Sequence, residues 1–158
     1  MADVLIERAF DAPRAMVFAA WTNPEMLVRW FAPTGCTIHF EKIDPRTGGE
    51  FHSCIRTPVG PDCWVRGTYL EILPPERLVM TMALADASGQ RLQADAAGKD
   101  PEWPDETTVT VTFAEEGNGT RMTLHQNAPE SVARRTGAYG SWLDMFDRLA
   151  EDLAAVPA

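Results

Sequence analysis

The chain has 158 residues, 45% of them hydrophobic and 23% charged, and a net charge of −9. Acidic residues outnumber basic ones 23 to 14 and no basic run exists, so nucleic-acid partners and anionic membrane surfaces are not expected. The length favours one domain over residues 1–158, large enough to bury a core without disulfides or metals.

Residues Val4 to Phe10 alternate weakly and read as a first strand. No basic and then apolar leader precedes them, so no signal peptide is expected, and no apolar stretch has the length of a membrane span. Asp11-Ala12-Pro13 stops the strand and opens a short helix with Pro13 in its first turn. A second short helix starts at Thr22-Asn23-Pro24-Glu25, where Thr22 and Glu25 have capping-box spacing. Met26, Leu27 and Trp30 form its apolar face, and Pro33 and Gly35 end it. Strands are then expected at about 36–43, 50–57, 63–73 and 77–84, separated by turns at 46–49 and 58–62 and by Pro74-Pro75. Residues 107–113 and 120–126 form a further hairpin around the turn at 116–119.

Between Leu84 and Glu106 lies a long polar stretch. Loops of this length carry function or structure of their own, and one helical turn is expected in 90–97. Trp103, between Pro101 and Pro104, is expected to fold back over the domain. Asn127 to Glu130 has cap-then-acid spacing and opens one long C-terminal helix. Its apolar stripe is Ala138, Trp142, Met145, Phe146, Leu149 and Leu153, at spacings of three and four. Gly137 and Gly140 fall inside it at a cost of about 1 kcal/mol each, so burial of that stripe must hold the helix. One helix cannot cover a flat sheet of six to seven strands, but a twisted sheet curls around it. The fold class expected is therefore α+β: a curved antiparallel sheet around a long C-terminal helix, with two short helices after strand 1.

Several segments carry a resemblance. Trp21-Thr22-Asn23-Pro24 with Trp30, and Asp44-Pro45-Arg46-Thr47-Gly48-Gly49-Glu50-Phe51, resemble the START/Bet v 1-like (SRPBCC) superfamily with its helix-grip fold. The closer likeness is to the branch named after the C-terminal domain of the activator of Hsp90 ATPase (AHSA1-like). Gly67 to Val79 resembles that branch's central hairpin and Gly119 to Leu124 its penultimate one. Gly140-Ser141-Trp142 resembles its last helix, with Ser141 inserted between a Gly and a Trp that are usually adjacent. The Ala85–Glu106 segment and Cys63-Trp64 depart from the pattern. The resemblance spans nearly the whole chain and implies the fold. It leaves function open among small-molecule carriers, polyketide cyclases and stress-response proteins. The family name implies Hsp90 as a partner, which is not expected here because this chain has no room for the activator's separate N-terminal domain.

Strand parity places Phe51, Ser53 and Ile55 in one row, Met80 and Met82 in another, Val109, Val111 and Phe113 in a third, and Met122, Leu124 and Gln126 in a fourth. Rows of this kind are as often plain core as cavity wall, and the resemblance tilts the set toward a pocket near the N-terminal half of the last helix. A void of about 300 Å³ left empty would cost on the order of 7 kcal/mol, so such a space is expected to be filled. The expected ligand-binding residues are Phe51, Ile55, Met80, Met82, Val111, Met122 and Trp142, facing a hydrophobic or aromatic small molecule.

Catalytic signals are weak. Glu71 alternates with Tyr69, and a carboxyl buried in an apolar pocket would act as a general acid or base; with Glu71 or a pocket Tyr in that role, a cyclase or hydratase stays open. Its commoner role is a solvent-facing ion pair. His39, His52 and His125 have no metal-ligand spacing, and His52 and His125 have the parity of the outer face. No nucleophile elbow, phosphate loop or dinucleotide fingerprint appears, so no metal and no cofactor are expected. Cys36, Cys54 and Cys63 form no CxxC and are read as free thiols of a cytoplasmic protein. Edge strands with little Lys and no interior Pro are compatible with a homodimer.

Overall fold

Alternation along the strands sets the architecture. The structure, a computed structural model, describes residues 2–155. Chain order is β1 (Asp3–Phe10), α1 (Arg14–Thr22), α2 (Pro24–Trp30), β2 (Thr37–Ile43), β3 (Glu50–Arg56), β4 (Cys63–Leu73), β5 (Arg77–Ala85), β6 (Glu106–Glu116), β7 (Gly119–Pro129), α3 (Glu130–Thr136) and α4 (Ala138–Ala155). The strands form one antiparallel sheet of seven, in the order β1-β7-β6-β5-β4-β3-β2.

β1 and β2 are opposite edges of this sheet, so α1 and α2 carry the chain from one edge to the other. Register shifts at Asp3/Val4, Phe40/Lys42 and Tyr69/Glu71 bend the strands that carry them. The curved sheet closes around α4, whose Trp142, Met145, Phe146, Leu149 and Leu153 are buried. The parity rows share the inner face: Met80 pairs with Val109, Val111 with Leu124, and Phe113 with Met122.

Aromatic packing seals one end. Trp21 meets Trp30 edge-on at 4.9 Å and Phe146 at 6.2 Å, and its indole N–H points at the Met122 sulfur, 3.3 Å away. Trp30 donates to the Ala20 carbonyl at 3.0 Å. These bulky rings fill the space between α1, α2 and the stretch of α4 from Trp142 to Phe146.

Local chemistry moves three of the expected boundaries. Asn23, not Thr22, caps α2: its side chain accepts from Glu25 N–H at 2.9 Å with Pro24 in the first turn, while the Thr22 hydroxyl bonds back to the Phe18 carbonyl. Asn127 does not cap the last helix. It continues β7 and accepts from the Thr108 N–H at 2.6 Å. The C-terminal helix is two helices, because Gly137 takes the left-handed conformation at φ 90° and ends α3. Gly140 does lie within a helix, in the first turn of α4.

Candidate functional site

Away from the aromatic end, sheet and helix do not touch fully. A cavity of about 540 Å³ opens there. Its sheet wall comes from β3 to β7 through Ile55, Cys63, Val65, Met82, Leu84, Thr107 and Gln126. Its helix wall is the α3–α4 junction and the first two turns of α4, with Ala138, Ser141, Trp142 and Met145. Phe31 borders it from the aromatic end, and Gly98, Lys99, Asp100 and Trp103 form the mouth.

The segment between β5 and β6 reaches the mouth by a built route. It runs first over the outer face, where the Asp86 carbonyl accepts from His52 at 3.0 Å and the Gly89 carbonyl from Arg66 at 2.8 Å. A carbonyl only accepts, so His52 carries its proton on Nε2. One helical turn follows at 93–97, and buried Ala94 donates to Asp105 at 3.0 Å. Trp103 then packs against the core from above. Arg135 of α3 holds this stretch down through Asp100 at 3.3 Å and Glu102 at 3.4 Å. The Asp100 carboxyl lies below the usual carboxylate range, first because it accepts from the Glu102 N–H and then because of Arg135.

Of the seven residues expected to line a pocket, Ile55, Met82 and Trp142 are in this wall. Phe51, Met80, Val111 and Met122 face the same interior but lie in packed core. Phe51 stacks near Tyr69 at 5.5 Å, over Gly67, and Met122 is covered by Trp21. Met80 pairs with Tyr69 and Val111 with Leu78.

Glu71 is not in the cavity. The register shift after Tyr69 turns it away, and it pairs with Arg77 at 3.1 Å with both side chains nearly half exposed. That removes Glu71, the first candidate for the acid–base group of a cyclase, from the cavity. Tyr69 offers no substitute, since it sits in the core and burial alone raises its phenol well above the ordinary value. The arginines Arg66 and Arg121 are engaged by Glu50 and Glu116 rather than by the cavity.

Sequence reasoning missed the polar part of the wall. Gln126, Thr107 and Trp142 are all buried, and they are joined in series: Trp142 Nε1–H donates to Gln126 Oε1 at 3.0 Å, and Gln126 Nε2 donates to Thr107 Oγ1 at 3.0 Å. A Gln placed in a row with Met122 and Leu124 was the available signal. Among the described residues no group of three or more His, Cys, Asp or Glu side chains is arranged to hold a metal ion, and no helix is long and apolar enough to cross a membrane. Cys36, Cys54 and Cys63 are free; Cys54 is fully buried, and burial first of all pushes its thiol up.

The same architecture recurs in solved structures. A protein from Chromobacterium violaceum is 24% identical, with 95% of each chain covered and a TM-score of 0.77. A Nitrosomonas europaea protein is 25% identical, over 96% of this chain and 94% of that one, with a TM-score of 0.77. The AHSA1 protein of Silicibacter pomeroyi is 21% identical, over 97% and 98%, with a TM-score of 0.75. No curated protein matches the chain. The family model for Activator of Hsp90 ATPase homolog 1-like protein matches residues 11–154. The chain belongs to this family, the AHSA1-like branch of the START/Bet v 1-like superfamily, whose fold is of the ligand-binding type.

Proposed function

We propose that the protein binds an apolar or aromatic small molecule between the sheet and the N-terminal half of α4. The observation that carries this reading is the cavity of about 540 Å³ walled by Ile55, Val65, Met82, Leu84, Trp142 and Met145. Small-molecule sites fall in this size range and share its mostly apolar lining. Met side chains let such a wall adapt to shape. Among the described residues the one carboxylate in the lining is Asp100, which Arg135 already engages, so the site supports binding rather than proton transfer. The reading includes no chaperone contact, and purified Hsp90 is not expected to co-elute with the protein. Three free thiols fit a reducing cytoplasm.

The test is titration with an environment-sensitive hydrophobic dye, together with native mass spectrometry of gently purified protein. Saturable binding with one-to-one stoichiometry is expected. Ser141→Phe, which fills the cavity from α4, should abolish it while leaving the circular dichroism spectrum intact. Absence of saturable binding by any hydrophobic probe, or binding indifferent to Ser141→Phe, would sink the reading.

A further inference from the structure

The buried polar series in the cavity wall has an orientation that chemistry dictates. An indole N–H is a donor only, so the atom of Gln126 that faces Trp142 must be the carboxamide oxygen. The amide nitrogen is then turned to Thr107, and Thr107 Oγ1 accepts that bond with a lone pair. Two hydrogens are left over: the Thr107 hydroxyl proton and the second Gln126 N–H have no acceptor among the described residues. Thr107 and Gln126 are 2% and 3% exposed, and both line the cavity. Buried donors of this kind call for an acceptor, from water or from a ligand.

The nature of that acceptor follows from charge. Lys99 and Asp100 are the charged residues of the lining, and both belong to the loop at the mouth, not to the wall where Thr107 and Gln126 sit. A carboxylate at the inner wall would lose its hydration without a counter-charge. A neutral oxygen would not. Resting on the binding function proposed above, we infer that the cavity selects apolar or aromatic molecules bearing a neutral carbonyl-type oxygen. Thr107 and Gln126 are the residues that read this oxygen. A pure hydrocarbon would displace water from the two donors and leave them unpaired.

Three matched probes test this: acetylnaphthalene, its hydrocarbon isostere isopropenylnaphthalene, and naphthoate, each titrated against the full chain. Acetylnaphthalene should bind more tightly than naphthoate. Thr107→Val, which keeps the shape and removes the hydroxyl, should lower the affinity for the ketone relative to the hydrocarbon on the order of tenfold. Thr107→Ser should preserve the wild-type ratio. Should Thr107→Val not fold, the infrared carbonyl stretch of acetylnaphthalene bound to the wild-type protein decides, and it should lie below its position in a hydrocarbon solvent. A ratio unchanged by Thr107→Val, an unshifted stretch, or naphthoate binding tightest would overturn the inference while leaving apolar binding intact. Failure of all three probes to bind would overturn both.

Discussion

Asp144 on α4 accepts two hydrogen bonds from Thr34, one from its backbone N–H at 2.6 Å and one from its hydroxyl at 2.8 Å. The pair fastens the loop after α2 to the helix that the sheet grips. The Thr34 N–H holds the Asp144 carboxyl below its ordinary range, with the Thr34 hydroxyl next in weight and Arg148 adding to it. Asp144→Ala should cost about 1 kcal/mol in urea unfolding, since the site is half-exposed and screened. Because the folded carboxyl is the stronger acid, its contribution is full above the ordinary aspartate range and is lost as the pH falls through the folded value. The stability gap between wild type and variant should therefore close in acid; a gap independent of pH would contradict the assignment.

The segment over the cavity mouth depends on an exposed latch. Arg135 meets Asp100 and Glu102 at distances of 3.3 and 3.4 Å. Arg135→Ala should raise amide exchange between residues 93 and 105 and leave the sheet unchanged, and added salt should mimic the variant. Acid should act likewise. The Asp100 carboxyl is depressed in the folded protein, so the latch holds above the ordinary aspartate range and loosens as pH drops through the folded value. Uniform exchange in both proteins would contradict a latch.

Gly67 is the point where β4 passes under Phe51. A Cβ there would lie 1.9 Å from the Thr81 carbonyl oxygen and 2.5 Å from the Phe51 ring. Backbone on one side and a buried ring on the other leave little room to yield. Gly67→Ala should cost at least the roughly 1–3 kcal/mol of overpacking a core, read as a lower urea midpoint. Wild-type stability in this variant would show that the strands can separate there.

Cys63 and Cys54 lie on adjacent strands but report different surroundings. Cys63 is partly exposed and lines the cavity, whereas Cys54 is fully buried with its thiol pushed up by burial. Iodoacetamide should modify Cys63 well before Cys54, and a bound hydrophobic ligand should slow modification of Cys63 alone. Peptide mapping by mass spectrometry distinguishes the sites. Equal protection of Cys36, which is outside the lining, would argue against a ligand in the cavity.

Strand parity was legible because a side chain on a strand has only two directions, and burying one face chooses between them. Phe51, Ile55, Met80, Met82, Val111 and Met122 all face inward as their rows predict. Helix ends were less legible. Thr22 and Asn23 both suit a cap, and Pro24 in the first turn of α2 decides for Asn23. Gly137 fits the interior of a helix or its end, and only the left-handed backbone tells them apart.

The sequence by itself determined which residues face the interior, the order of the elements, and the need for a curved sheet to cover one long amphipathic segment. The tertiary structure alone decided which of those inward residues border open space. Trp21, Trp30 and Phe31 come from elements far in sequence from β7, and they fill the end where Met122 sits. Phe31 and Trp103 only border the space between Ile55, Met82 and the first turns of α4, and no side chain fills it. A residue's alternation encodes the face it takes, whereas a cavity is a relation between faces, set by the volume of side chains brought together from across the chain.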